Sequence, residues 1–137
     1  MEFERVNPQQ IVPYIPEFGG ERRRACENRD YAPCAFHLRP MTVAEYERAS
    51  VWTRDGDGFA LAPDTVRDTL TRHVTRVEHL RFADGEEIAD GAAVAAARER
   101  AGASAAPLYL EILAAIRDVS VLREGERKNS DSPRASS

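Results

Sequence analysis

The chain has 137 residues, 42% of them hydrophobic and 31% charged, with a formal net charge of −4. That is enough for one compact domain with a continuous core, and too apolar for a wholly disordered chain. Nothing in the charge favours nucleic acid or an acidic membrane surface, and no apolar run is long enough to span a bilayer.

The N-terminal residues Met1 to Arg5 lack the apolar stretch of a signal peptide, so a bacterial or viral protein that stays in the cytosol is expected. Cys26 and Cys34 are accordingly expected as free thiols.

Five of the eight prolines fall in the first forty residues: Pro8, Pro13, Pro16, Pro33 and Pro40. Proline fixes φ and lacks a donor, so no regular helix is expected here. Residues 10–15 read as extended, with Pro13 restricting them to an edge strand or irregular arm. Phe18-Gly19-Gly20 is a turn signal, and residues 34–39 read as a short strand.

Thr42-Val43-Ala44-Glu45 is a capping box and opens a helix expected over 41–52, with Val43, Tyr46, Ala49, Val51 and Trp52 as its buried side. Asp55-Gly56-Asp57-Gly58 breaks it. Pro63 and Asp64 open a second helix, whose apolar face is expected to carry Val66, Leu70, Val74 and Val77. Asp84-Gly85 is a turn.

Asp90 is a good N-cap for an alanine-rich helix over 91–101 that stops at Gly102. Ser104 is the expected cap of a last helix, with Pro107 in its first turn. Its stripe is Leu108, Ile112, Ala115 and Val119, widened by Leu113 and Ile116 as for a helix buried on more than one side. From Arg123 onward the chain is polar, and a disordered tail over 123–137 is expected.

The fold expected is therefore α+β, mostly helical. A short N-terminal strand or hairpin from 1–40 packs on three or four helices of 41–122, all in one domain.

The chemistry-bearing residues give no catalytic signature. Cys26, Cys34 and His37 have a C-x7-C-x2-H spacing, unlike the close pairs of structural zinc sites. Residues 53–64 place Asp55, Asp57 and Asp64 at loop positions of a calcium-binding helix–loop–helix. Thr53 at its start and Asp64 at its end are weak ligands, and a polar connection between helices explains the same letters. There is no G-x-S-x-G, no H-E-x-x-H and no phosphate-binding glycine loop. Residues 84–90 read as a solvated acidic turn, and Glu21-Arg22-Arg23-Arg24 as a solvated basic run. The expectation is no enzyme, no metal and no cofactor.

What remains is apolar surface. Phe3, Val6, Ile11, Tyr14, Ile15 and Phe18 crowd an arm that has little means of forming its own core. It either packs across the helices, the commoner fate, or docks on a partner.

In order, these segments resemble phage tail assembly chaperones of long-tailed phages and prophages. Val12 to Gly20 looks like their N-terminal "YIPEF" arm. Phe36 to Glu45 looks like their strand-to-helix entry. His73 to Asp90, Leu108 to Leu122 and Glu126 to Ser130 resemble their helical C-terminal half. The chain departs from the pattern after Gly20, where Arg22-Arg23-Arg24-Ala25-Cys26 stands in place of an Asn and an acidic Leu-Pro stretch, so no role carries over to that loop.

The resemblance implies transient binding of the tape-measure protein and recruitment of tail-tube protein, with no nucleic acid or membrane partner. Self-association is a further expectation. Tyr14, Ile15, Phe18 and Trp52 are the candidate contacts. The alternatives are a structural tail or head-tail connector protein kept in the virion, and a small calcium-binding regulatory domain.

Overall fold

A computed structural model describes residues 1–50, 52–55 and 58–122, with 52–55 and 58–61 described by their backbone alone. The expected disordered tail, 123–137, lies outside the described residues, as does Val51.

The fold is α+β and mostly helical. Its sheet is antiparallel, in the order β1 (Val12–Tyr14), β2 (Ala35–Leu38) and β5 (Val74–Glu78). Val12 pairs with Leu38 and Tyr14 with Phe36; Phe36 also pairs with Val77. Phe36 and Leu38 point into the core with 1% and 0% exposure, as the two-residue period of a strand requires. Proline marks the edge as expected, because Pro13 sits mid-strand in β1, which has a neighbour on one side alone.

The proline argument fails between Pro16 and Pro33. Phe18–Gly20 is a turn of 3-10 helix, and α1 (Glu21–Glu27) follows it. Seven proline-free residues suffice for two turns. Gly19 and Gly20 supply the entry by adopting φ of 71° and 75°, a region that a side chain would resist.

Helix α2 (Val43–Ala49) has the predicted capping box. Thr42 accepts from the Glu45 N–H, and the Glu45 carboxylate accepts from the Thr42 N–H at 3.0 Å. The helix is shorter than expected. Trp52–Asp55 (β3) and Gly58–Leu61 (β4) pair as an antiparallel hairpin, Trp52 opposite Leu61 and Asp55 opposite Gly58. Val51-Trp52-Thr53 is β-branched and aromatic, and the glycines of Asp55-Gly56-Asp57-Gly58 are a hairpin signal as much as a helix stop. Val43 is exposed rather than buried, standing at the helix's first position.

Helix α3 (Pro63–His73) opens on Pro63 and buries Val66, Thr69, Leu70 and His73. The expected helical face changes element halfway. Val66 and Leu70 are on α3, whereas Val74 and Val77 are on β5, and all four are buried. Val74, Thr75 and Val77 are β-branched and fit a pleated surface, and the Arg39 N–H donates to the His73 carbonyl at 2.8 Å where the chain joins the sheet.

Helix α4 (Gly91–Ala97) starts at Asp90, whose carboxylate accepts from the Ala93 N–H at 2.8 Å. It lies against α3 so closely that a Cβ on Gly91 would overlap the carbonyl oxygens of Leu70, Thr71 and Val74. Helix α5 (Ala106–Val121) buries Ile112, Leu113, Ala115, Ile116 and Val119. Ser104 does not cap it; a 3-10 turn over Ala103–Ala105 leads in instead, and Pro107 stands in the first turn.

Candidate protein-binding face

The arm packs in cis. The Glu111 carboxylate on α5 accepts from the Tyr14 hydroxyl at 2.6 Å, from the Glu17 N–H at 2.7 Å and from the Phe18 N–H at 3.0 Å. Arg22 donates from Nε and Nη2 to the Ile15 carbonyl, at 3.1 and 3.0 Å, and lies over the Tyr14 ring at 5.2 Å from its centroid. Burial, with the Glu111 hydrogen bond and charge, pushes the Tyr14 hydroxyl up to about 12.

Tyr14, Ile15 and Phe18 are thus brought together on one clamp, each half-buried. Trp52 is on a strand of the hairpin rather than near the end of a helix, and its side chain is outside the described residues. Sequence reasoning does not single out Glu111. An acidic residue between Leu110 and Ile112 gives no hint of a partner 97 residues away.

The large apolar side chains most exposed among the described residues are Met1, Phe3, Val43, Leu110 and Val121. Two belong to the N-terminal end. The other three are helical, Val43 on α2 and Leu110 and Val121 on α5. Leu110 and Val121 are 67% and 63% exposed, and with exposed Pro107 and Ala114 they make a row along α5 at helical spacing. Helix α5 buries the widened stripe as expected, Leu113 and Ile116 included, and this row lies outside it. The sequence held this signal, since 107, 110, 114 and 121 form a second stripe on the opposite side of the helix from 108, 112, 115 and 119.

Helix α2 borders this row. The Met41 N–H donates to the Ser120 hydroxyl at 2.9 Å, and the Arg117 guanidinium stacks on the Tyr46 ring at 5.1 Å from its centroid. Val43 stands one turn before Tyr46 on the same side of α2. Arg117 pairs with no carboxylate among the described residues; its Nη2 reaches the Tyr46 hydroxyl at 3.4 Å, and its buried Nε has no acceptor. Asp118, on the other flank of the row, is exposed.

On another side, a shallow hollow of about 290 Å³ lies between α2 and α3, lined among others by Glu45, Asp68, Arg72 and His73. His73 is 3% exposed, with Nδ1 2.9 Å from the Arg39 carbonyl and Nε2 3.5 Å from the Glu45 carboxylate. Burial pushes the His73 imidazole below its ordinary value, although the Arg39 carbonyl and Glu45 act in the opposite direction. Glu45 is committed to the capping box, and Asp64 and Asp68 pair with Arg67 and Arg72 on their own helix.

Of the residues considered as metal ligands, Asp57 and the side chain of Asp55 lie outside the described residues. Among the described residues no group of three His, Cys, Asp or Glu side chains is placed to hold an ion. Cys26 is exposed on α1, Cys34 is buried with its thiol pushed up to about 12 by burial, and His37 faces Glu78 at 3.1 Å. Where the calcium reading expects a loop between two helices, the backbone of 52–55 pairs with that of 58–61 as the hairpin β3–β4.

Comparison with protein-family models, with curated proteins and with solved structures found no match for this chain. Among the described residues no helix is long and apolar enough to cross a membrane.

Proposed function

We propose that this chain is a protein-binding module that acts as a phage tail assembly chaperone, holding the tape-measure protein during tail morphogenesis. The observation that carries the reading is the apolar row on α5 left open among the described residues and bordered by Arg117, which stacks on Tyr46 of α2. Exposed residues of this size on one face are the ordinary mark of a partner surface. The resemblance of the Tyr14-to-Phe18 arm and of the strand-to-helix entry to tail assembly chaperones supplies the kind of partner. A tape-measure protein presents long apolar helical stripes, and moderate affinity on a mixed surface suits a partner that must be released.

Co-expression with the tape-measure protein tests this. The expected outcome is soluble tape-measure protein in the presence of this chain, insoluble without it, and no copies of this chain in purified particles by mass spectrometry. An unchanged solubility refutes the proposal, and stoichiometric presence in particles replaces it with a connector or tail component.

A further inference from the structure

The uncovered row has a shape and a charge pattern that select its occupant. We propose that the α2–α5 face seats one amphipathic helix of another protein, its apolar stripe along Leu110, Ala114 and Val121, a carboxylate of it against Arg117 and a basic side chain against Asp118. This rests on the reading of the chain as a protein-binding module.

The row is linear. From Pro107 to Val121 it covers about 21 Å of helix at 1.5 Å per residue, the length of a four-turn helix laid along it. Ala114 is the small residue between the two large ones. It lets a helix backbone approach closely while Leu110 and Val121 enter the spaces between its turns.

The charges flank the row on opposite sides. Residues 117 and 118 are about 100° apart on the helix, so Arg117 borders the α2 side and Asp118 the other. The Arg117 guanidinium is fixed on the Tyr46 ring, with no carboxylate partner among the described residues and with a buried Nε lacking an acceptor. A cation pre-positioned in this way favours an acidic partner residue, because its side chain needs little further ordering.

A second copy fits worse. A two-fold that sets the helices antiparallel faces the Arg117 flank with the Arg117 flank and the Asp118 flank with the Asp118 flank, whereas a parallel two-fold pairs unlike flanks over the same small apolar area. Four side chains of which one is alanine and one proline also fall well short of the roughly 800 Å² per partner of a stable dimer.

The test uses the full chain and two fluorescein-labelled synthetic helical peptides, each about 27 Å long when folded. Both carry a leucine and alanine stripe. One has Glu on the flank facing Arg117 and Lys on the flank facing Asp118, and the other has them exchanged. The expected result is saturable binding of the first, about tenfold tighter than the second. Amide shifts should be centred on Leu110, Ala114, Val121 and Val43. Arg117→Glu should invert the preference, and Leu110→Asp should abolish binding with an unchanged melting temperature.

Absence of saturable binding at millimolar peptide overturns the proposal, as do equal affinities for the two peptides or shifts confined to another face. A concentration-dependent dimer in sedimentation, lost in Leu110→Asp, gives the face to a second copy and overturns it as well. The functional proposal fails separately. If wild-type protein solubilises the tape-measure protein and Leu110→Asp does so equally, only the site is wrong; if wild-type protein has no effect, the chaperone reading is wrong.

Discussion

Replacing Glu111 by Ala removes the carboxylate that ties the arm to α5 and should release the first two dozen residues from the helices. Three donors lose their acceptor: the Tyr14 hydroxyl, the Glu17 N–H and the Phe18 N–H. Hydrogen bonds to a charged group are worth about 1.5–3 kcal/mol each, so a naive sum would exceed 4 kcal/mol by roughly any accounting. The geometry argues for less. Glu17 is exposed and its N–H regains water, while Tyr14 and Phe18 are half-buried and recover solvent in part. The expected cost is about 2–3 kcal/mol, or a fall in melting temperature of roughly 8 °C for a chain of this size. Glu111→Gln keeps one acceptor oxygen but turns an amide donor toward one of the three donors, and should cost about 1 kcal/mol. The decisive measurement is a double-mutant cycle by urea unfolding of Glu111→Ala and Tyr14→Phe. A coupling of about 1 kcal/mol is expected for groups in direct contact. Limited trypsin digestion gives an independent readout, since Arg22, Arg23 and Arg24 follow the clamp and should be cut faster in Glu111→Ala. Strict additivity of the two substitutions, with unchanged cleavage, would refute the clamp.

Gly91→Ala should be among the most damaging single-methyl additions, costing about 2–4 kcal/mol in thermal melts, because the new Cβ meets backbone carbonyls of Leu70, Thr71 and Val74 that cannot rotate away. Stability should fall as pH drops below about 6.5: the folded-state value of His73 is depressed by burial, so the unfolded chain takes up the proton first, and urea midpoints at pH 7.5 and 5 should differ less in His73→Gln than in wild type. At the alkaline end the sign comes from Tyr14, whose folded value is raised to about 12; stability present below pH 10 should be lost as pH rises toward 12, and this loss should shrink in Tyr14→Phe. Thr42→Ala should cost about 1 kcal/mol by removing one half of the capping box, visible as a shift in urea midpoint with the slope unchanged.

Local chemistry was legible in the sequence and pairing was not. The Thr42–Glu45 box, the Asp90 cap, Pro63 and Pro107 in first turns and the edge strand at Pro13 all act within a few residues, and the structure has each of them. The residues Val66, Leu70, Val74 and Val77 show the limit. Burial was read correctly for all four, yet a four-four-three spacing cannot reveal that Val74 leaves the helix to pair with Leu38. The same holds at Trp52, where β-branched and aromatic neighbours favoured a hairpin over the helix that the capping box had started. Of the candidate contacts, Tyr14, Ile15 and Phe18 lie on an arm clamped in cis by Glu111 and Arg22. Leu110 and Val121 stand outside the stripe read as buried and are not singled out as surface either, because a helix apolar on most sides does not announce which side its own domain leaves open.

The sheet narrows how this protein can meet a partner. An incoming strand needs an edge with free N–H and C=O groups. On β1 the exposed edge carries Pro13 at its centre, which removes a donor from a three-residue strand. On β5 the outer edge is taken by the following segment: the Val77 N–H donates to the Ala89 carbonyl at 2.8 Å, the Ile88 N–H to the Leu80 carbonyl at 3.0 Å, and Arg81 bridges Glu87. His79, at a φ of 57°, is where the chain bends to make this cover, a conformation that costs a non-glycine residue free energy and so marks a position held by its surroundings. With one edge interrupted by proline and the other covered at that cost, strand addition to this sheet is disfavoured from both sides. Among the described residues outside the N-terminal end, the large apolar side chains left most open, Val43, Leu110 and Val121, are on helices, which is why the proposed partner is a helix rather than a strand.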